Sequence, residues 1–145
     1  MRILWITATA GNYQSPHSCG GGYNGGGWIS SMQNELAKRD DIKLGIAFCR
    51  NGEPAKVEQD GVVYYPIPHH TKSTKDKILD LFKLNDATRD EVFWSSYEHQ
   101  FIEVLDDFKP NVIHIFGSEL YHCLTSRVAG HIPIVLPLPG LLNLS

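Results

Sequence analysis

The chain alternates short, continuous apolar runs with stretches in which apolar residues recur every third or fourth position. Ile3 to Thr7 is a compact β-branched and apolar run, the pattern of a strand covered on both faces, and it predicts a central parallel strand. Past a glycine-rich stretch, Trp28, Met32 and Leu36 recur every fourth residue with Ile29 beside them. This predicts a helix whose apolar face they form, with Lys38 and Arg39 in its last turn, where cations suit the helix dipole. Ile42 to Phe48 predicts a second strand, and Asp60-Gly61 between two β-rich runs predicts a hairpin. Two helices are expected next. One carries Ile78, Leu79, Leu81 and Phe82 after a Ser73-x-x-Asp76 start; the other opens on a Thr88-x-x-Glu91 capping box. In the second, Phe93, Tyr97, Phe101, Val104, Leu105 and Phe108 keep to one face until Pro110 stops it. Asn111 to Gly117 reads as a strand, Leu120, Leu124 and Val128 as a short helix, and the run from Ile132 to Leu138 as a last strand.

This order builds a parallel sheet covered on both faces. The expected fold class is α/β, a Rossmann-like three-layer α/β/α domain with a mainly parallel sheet, and residues 1–145 form a single domain. At 145 residues and 42% hydrophobic, a chain can bury about 68–70% of its unfolded surface without staples. The formal charge of −3 supplies no basic field for a phosphate backbone, so no nucleic acid partner is expected. Cys19, Cys49 and Cys123 are odd in number and include no C-x-x-C pair, which favours reduced thiols over a disulfide framework or a zinc site. His122-Cys123 has no metal-ligand spacing. The run from Ile3 to Ile6 is short of the roughly 7–15 residues of a secretion signal, and no apolar run reaches the roughly 18 that span a bilayer; a cytoplasmic location is expected. Leu141, Leu142 and Leu144 follow the last strand with nothing further in the sequence to pack against, so the domain is expected to be one part of a longer protein.

Six of the 13 glycines fall in "CGGGYNGGGW", residues 19 to 28. Gly20-x-Gly22-x-x-Gly25 matches a dinucleotide fingerprint in form, but that motif needs a tight strand-to-helix turn and an acidic residue about 20 positions on. Here about 20 residues separate Thr7 from Trp28, and the second strand ends at Cys49-Arg50. No Gly-Lys-Ser/Thr is present to make a P-loop. What remains is a long glycine loop ending on a helix N-terminus at the carboxyl edge of a parallel sheet. Such a loop is either a seat for a phosphate or diphosphate, since bare N–H groups and the helix start favour anions, or an entropic linker. Its position at the edge where open α/β sheets bind ligands favours the former.

"MRILWIT" with a Gly-rich loop, "GGGWISSMQNELAKRDDIKLGIAF", "KPNVIHIFGSE" and "IPIVL" together resemble the N-terminal half of GT-B glycosyltransferases, in particular the family-4 retaining enzymes. The resemblance implies two Rossmann-like domains around a cleft, with this chain as the acceptor-side domain and a C-terminal domain, outside these 145 residues, holding the nucleotide-sugar donor. It implies transfer of a sugar to a glycan or lipid-linked acceptor, with no metal and no cofactor beyond the nucleotide-sugar co-substrate. It also implies that Gly25, Gly26 and Gly27 reach over the donor diphosphate. Where relatives often carry a histidine after the last strand, this sequence reads Pro137-Leu138-Pro139-Gly140. The alternative is a non-catalytic Rossmann-like module whose glycine loop takes a small anion.

Ser118 and Glu119 follow Gly117 at a strand's carboxyl end and are candidates for hydrogen bonds to sugar hydroxyls; for Glu119 the competing reading is a carboxylate favoured by a helix start. His114 alternates with Ile113 and Ile115 and reads as a core histidine. Tyr64-Tyr65 and His69-His70 are candidates for an acceptor groove or a solvated loop. Lys72, Lys75 and Lys77 form a basic cluster, either a solvated face or a contact with anionic lipid at the inner face of the membrane or with a lipid-linked diphosphate acceptor.

Overall fold

The computed structural model describes residues 1–15, 27–68, 86–117 and 121–136. Six strands form one sheet: β1 (Arg2–Thr7), β2 (Lys43–Cys49), β3 (Val57–Gln59), β4 (Val62–Ile67), β5 (Val112–Ile115) and β6 (Ile134–Val135), in the order β3-β4-β2-β1-β5-β6. All neighbours run parallel except β3 and β4. β1 lies between β2 and β5 in register Ile3↔Leu44 and Ile3↔Val112, so the first strand of the sequence is central, as its continuous apolar run requires. The β3–β4 hairpin turns through Asp60 and Gly61 at φ 50° and 76°, the paired left-handed conformation that Asp-Gly supplies with least strain.

Among the described residues the helices are α1 (Gly27–Ala37) and α2 (Asp86–Phe108), and a 3₁₀ segment spans Tyr121–Arg127. Side chains of successive strand residues leave opposite faces, and two buried clusters follow. One joins Leu4, Ile6, Val63, Tyr65, Ile113 and Ile115 to Trp94, Tyr97, Phe101 and Phe108 of α2. The other joins Trp5, Ile46, Phe48, Tyr64 and Phe116 to Ile29 of α1 and to Tyr13. Gly45 lets α2 approach closely: a Cβ there would lie 2.9 Å from the Phe108 ring.

Four expectations change. The buried face of α1 is Ile29, Gln33 and the half-buried Leu36, while Trp28 is 57% and Met32 37% exposed. A glutamine takes the core-facing position because both ends of its amide find buried partners, described below, and this rotates the helix away from the apolar stripe. Lys38 and Arg39 lie past the end of α1 and pair locally, Lys38 with Glu35 and Arg39 with Asp41. Helix α2 already includes Asp86 and Ala87, so Thr88 is inside it and does not cap it. The last strand shrinks to Ile134–Val135 at the sheet edge, where Ile134, Val135 and Leu136 are all exposed. The expected helix over Ile78 to Phe82 and the tail from Leu141 lie outside the described residues. No helix among the described residues is long and apolar enough to cross a membrane.

Candidate functional site

The carboxyl ends of β1, β2, β4 and β5 share one edge of the sheet. Counting outward from β1, the chain winds to β2 and β4 on one side and to β5 and β6 on the other, and it is above such a reversal, here the carboxyl ends of β1 and β5, that open α/β sheets have their binding crevice. The first turn of α1 stands beside it. The Trp28 ring meets Phe116, which directly follows β5, with centroids 5.3 Å apart. Gly27 opens the helix, is exposed, and a Cβ there would meet nothing within 4 Å. The first turn carries no acidic residue, and residues 16 to 26 contain no Asp or Glu. The partial positive charge of the helix start is therefore not neutralised from within this segment. Gly117, two residues past the end of β5, holds φ 101°.

The stretch leaving β1 is pinned. Gly11 has φ +58°, and a Cβ on it would lie 2.5 Å from Gln33 Oε1, so both conformation and space call for glycine. The Asn12 backbone N–H donates to that same Oε1 at 3.0 Å, and Gln33 Nε2 donates to the Tyr64 hydroxyl. Asn12 Nδ2 also reaches Asn34 Oδ1 at 2.7 Å. Next, the Tyr13 ring packs against both Phe48 and Tyr64, each with centroids 5.1 Å away. Its hydroxyl donates to Glu53 Oε2 at 2.9 Å, while Arg50 Nε meets Glu53 Oε1 at 3.3 Å. The Glu53 side chain is only 4% exposed. Burial first, and the Glu53 carboxylate second, push the Tyr13 pKa up to about 12. Gln14 and Gln59, the last residue of β3, then exchange hydrogen bonds. Among the described residues neither Thr9 Oγ1 nor Ser30 Oγ, both buried atoms, has a hydrogen-bond partner. One lies after β1 and the other in the first turn of α1.

Of the residues singled out for ligand contacts, Gly27 is at the crevice. Gly25, Gly26, Ser118 and Glu119 lie outside the described residues, as do His69, His70, Lys72, Lys75 and Lys77. His114 sits half-buried on the α1 face, its ring 3.9 Å from Phe116 and edge-on to Trp5. Burial lowers its pKa, which keeps the imidazole neutral near pH 7. Tyr64 and Tyr65 do not line one groove. Being adjacent in β4 they point to opposite faces, Tyr64 to Gln33 and Tyr65 to Asp107. The Tyr13–Glu53–Arg50 group was not foreseen; the only local signal for it is an Arg and a Glu three residues apart just beyond a strand's carboxyl end.

No protein-family model matches this sequence, and no curated protein matches it.

Proposed function

We propose that this chain is a Rossmann-like three-layer domain acting as the acceptor-side, N-terminal half of a GT-B glycosyltransferase, which moves a sugar from a nucleotide-sugar to a glycan or lipid-linked acceptor in the cytoplasm or at the inner face of the membrane. The observation that carries the reading is the Trp28–Phe116 contact. It puts the start of α1, and so the end of the glycine loop, at the carboxyl ends of β1 and β5 where the winding reverses. The helices α1 and α2 packed against opposite sheet faces support the layered fold.

In this reading the backbone N–H groups of Gly25, Gly26 and Gly27 take the donor diphosphate, aided by the uncompensated helix start. The Thr9 and Ser30 hydroxyls, which have no partner among the described residues, are further donors in this reading. Ser118 and Glu119, following Gly117, hydrogen-bond sugar hydroxyls. The Tyr13–Glu53–Arg50 group and the Gln33 amide act as positioning residues, fixing where the loop leaves the sheet. The nucleotide is gripped by the protein's own C-terminal domain, and no metal takes part.

Calorimetric titration of the full-length polypeptide with UDP, GDP and ADP, and with their sugar conjugates, tests this. Binding of one nucleotide family is expected in the roughly 1 μM–1 mM range usual for substrates, with release of the nucleoside diphosphate when an acceptor is supplied. Failure of every nucleotide to bind overturns the proposal. Diphosphate binding without transfer of any sugar favours the non-catalytic module.

A further inference from the structure

A second recess lies away from the crevice, between β4 and α2. It encloses about 450 Å³, within the range of roughly 300–1,000 Å³ typical of small-molecule sites. Its floor is apolar: Tyr65, Ile67 and Val104 are 4%, 3% and 7% exposed. One end is closed by a polar tie among three elements, in which Asp107 Oδ2 accepts from Lys56 Nζ at 2.5 Å and from the Tyr65 hydroxyl at 2.6 Å. Gln100, Glu103 and Asp107 line the α2 side, spaced so that one helix face presents them all.

The backbone excludes one class of occupant. Among the described residues β3 pairs with β4 only as far as Tyr64, and no other described strand pairs with the outer edge of β4 beyond it. The Arg50 N–H takes the Ile67 carbonyl toward β2, so the flanking residues turn their backbone groups to the open side. Those residues are Pro66 and Pro68, and neither has an N–H to offer. An added peptide strand would find acceptors without donors there, so an extended peptide is not what this edge takes.

The side chains select among the rest. Among the described lining residues the charges of Lys56, Glu103 and Asp107 sum to −1, and the ammonium among them is already bound to Asp107, which opposes phosphate and other anions. Carboxylates and an amide over an apolar floor suit a ligand with several hydroxyl donors and a C–H face. We propose that this groove binds a neutral sugar ring, giving a glycan a second point of attachment. The preference for a glycan unit over other polyols rests on the transferase reading; the groove's chemistry does not.

The test is an NMR titration of the full-length polypeptide with D-glucose, D-mannose, glucose 6-phosphate and methylammonium. A neutral hexose is expected to shift the amides of Ala55, Lys56, Gln100 and Val104, and glucose 6-phosphate to bind about fivefold more weakly, as an added negative charge near two carboxylates demands. Ala55→Trp, at an exposed rim position, is expected to abolish the shifts while the melting temperature stays within about 2 °C, the scale of a surface substitution. Hexose shifts that avoid the groove or survive Ala55→Trp overturn the proposal, as does methylammonium binding as well as the hexoses. A silent groove in a protein that still binds a nucleoside diphosphate near Gly27 removes this inference and leaves the transferase reading standing.

Discussion

The two faces of the sheet are held by different physics. On the α2 face the core contacts are aromatic and aliphatic, with the polar tie at Asp107 only at the rim: Trp94 stacks on Phe101 with ring planes 20° apart, and Phe108 fills the space left by Gly45. On the α1 face a buried amide, a buried phenol and a nearly buried carboxylate hold the loop after β1 against the helix. Burial of apolar area is strong but undirected, whereas a hydrogen bond fixes position and is costly to leave half-made. The directed contacts that hold the loop after β1 lie on the α1 face, and the one described on the α2 face, Tyr65 to Asp107, sits at its rim.

Substitutions can break this contrast, and the largest effect belongs to the apolar face. Phe101→Ala, at a side chain 1% exposed, is expected to lower unfolding free energy by about 3–5 kcal/mol in a urea titration; a loss near zero would mean that α2 is not packed as described. Gln33→Leu strands the Asn12 N–H and the Tyr64 hydroxyl and should cost about 1–3 kcal/mol. Adding Tyr64→Phe should recover part of that loss, and strict additivity of the two would show that the pair is not coupled.

Tyr13→Phe sharpens the picture through pH. Burial raises the folded pKa of Tyr13 to about 12, above an unfolded value near 10. The protonated phenol is therefore favoured by folding, and its contribution is complete below about pH 10 and lost as pH rises toward 12. Tyr64 and Tyr65 shift in the same direction, so Tyr13→Phe is expected to reduce the alkaline fall in stability without abolishing it; an unchanged alkaline slope would contradict the geometry. The smallest effect is expected at Gly27→Asp, where space is open. A carboxylate at the helix start should add about 0.5 kcal/mol to stability while weakening diphosphate binding, and a stabilised variant that binds nucleotide as before would place the anion elsewhere.

Much of the architecture is legible in the chain because continuous apolar strands and a three-to-four-residue helical repeat are local signals. Ile3 to Thr7, the Asp60-Gly61 turn and the Tyr97, Phe101, Val104 and Phe108 stripe are where the pattern puts them. The face of α1 is not legible, because Gln33 reads as polar until Tyr64 and the Asn12 N–H are known to meet it. The same holds for Glu53, whose burial depends on Tyr13, 40 residues earlier. Gly11-Asn12 after the first strand is the one turn signal that could have drawn attention to the pinned end of the loop. The open edge of β4 was written in Pro66 and Pro68, but its meaning requires knowing which way Ile67 turns its carbonyl.

The placement of β1 bears on how the protein is made. Its second neighbour is reached only when Asn111 clasps Arg2, with the Arg2 N–H donating to Asn111 Oδ1 at 2.7 Å and the Asn111 N–H to the Arg2 carbonyl at 2.8 Å. At about 5–20 residues per second, ribosomes release that partner on the order of 10 s after the first strand. Throughout that interval an apolar strand that the finished sheet flanks on both sides has one flank bare, which makes it a natural point of engagement for a chaperone.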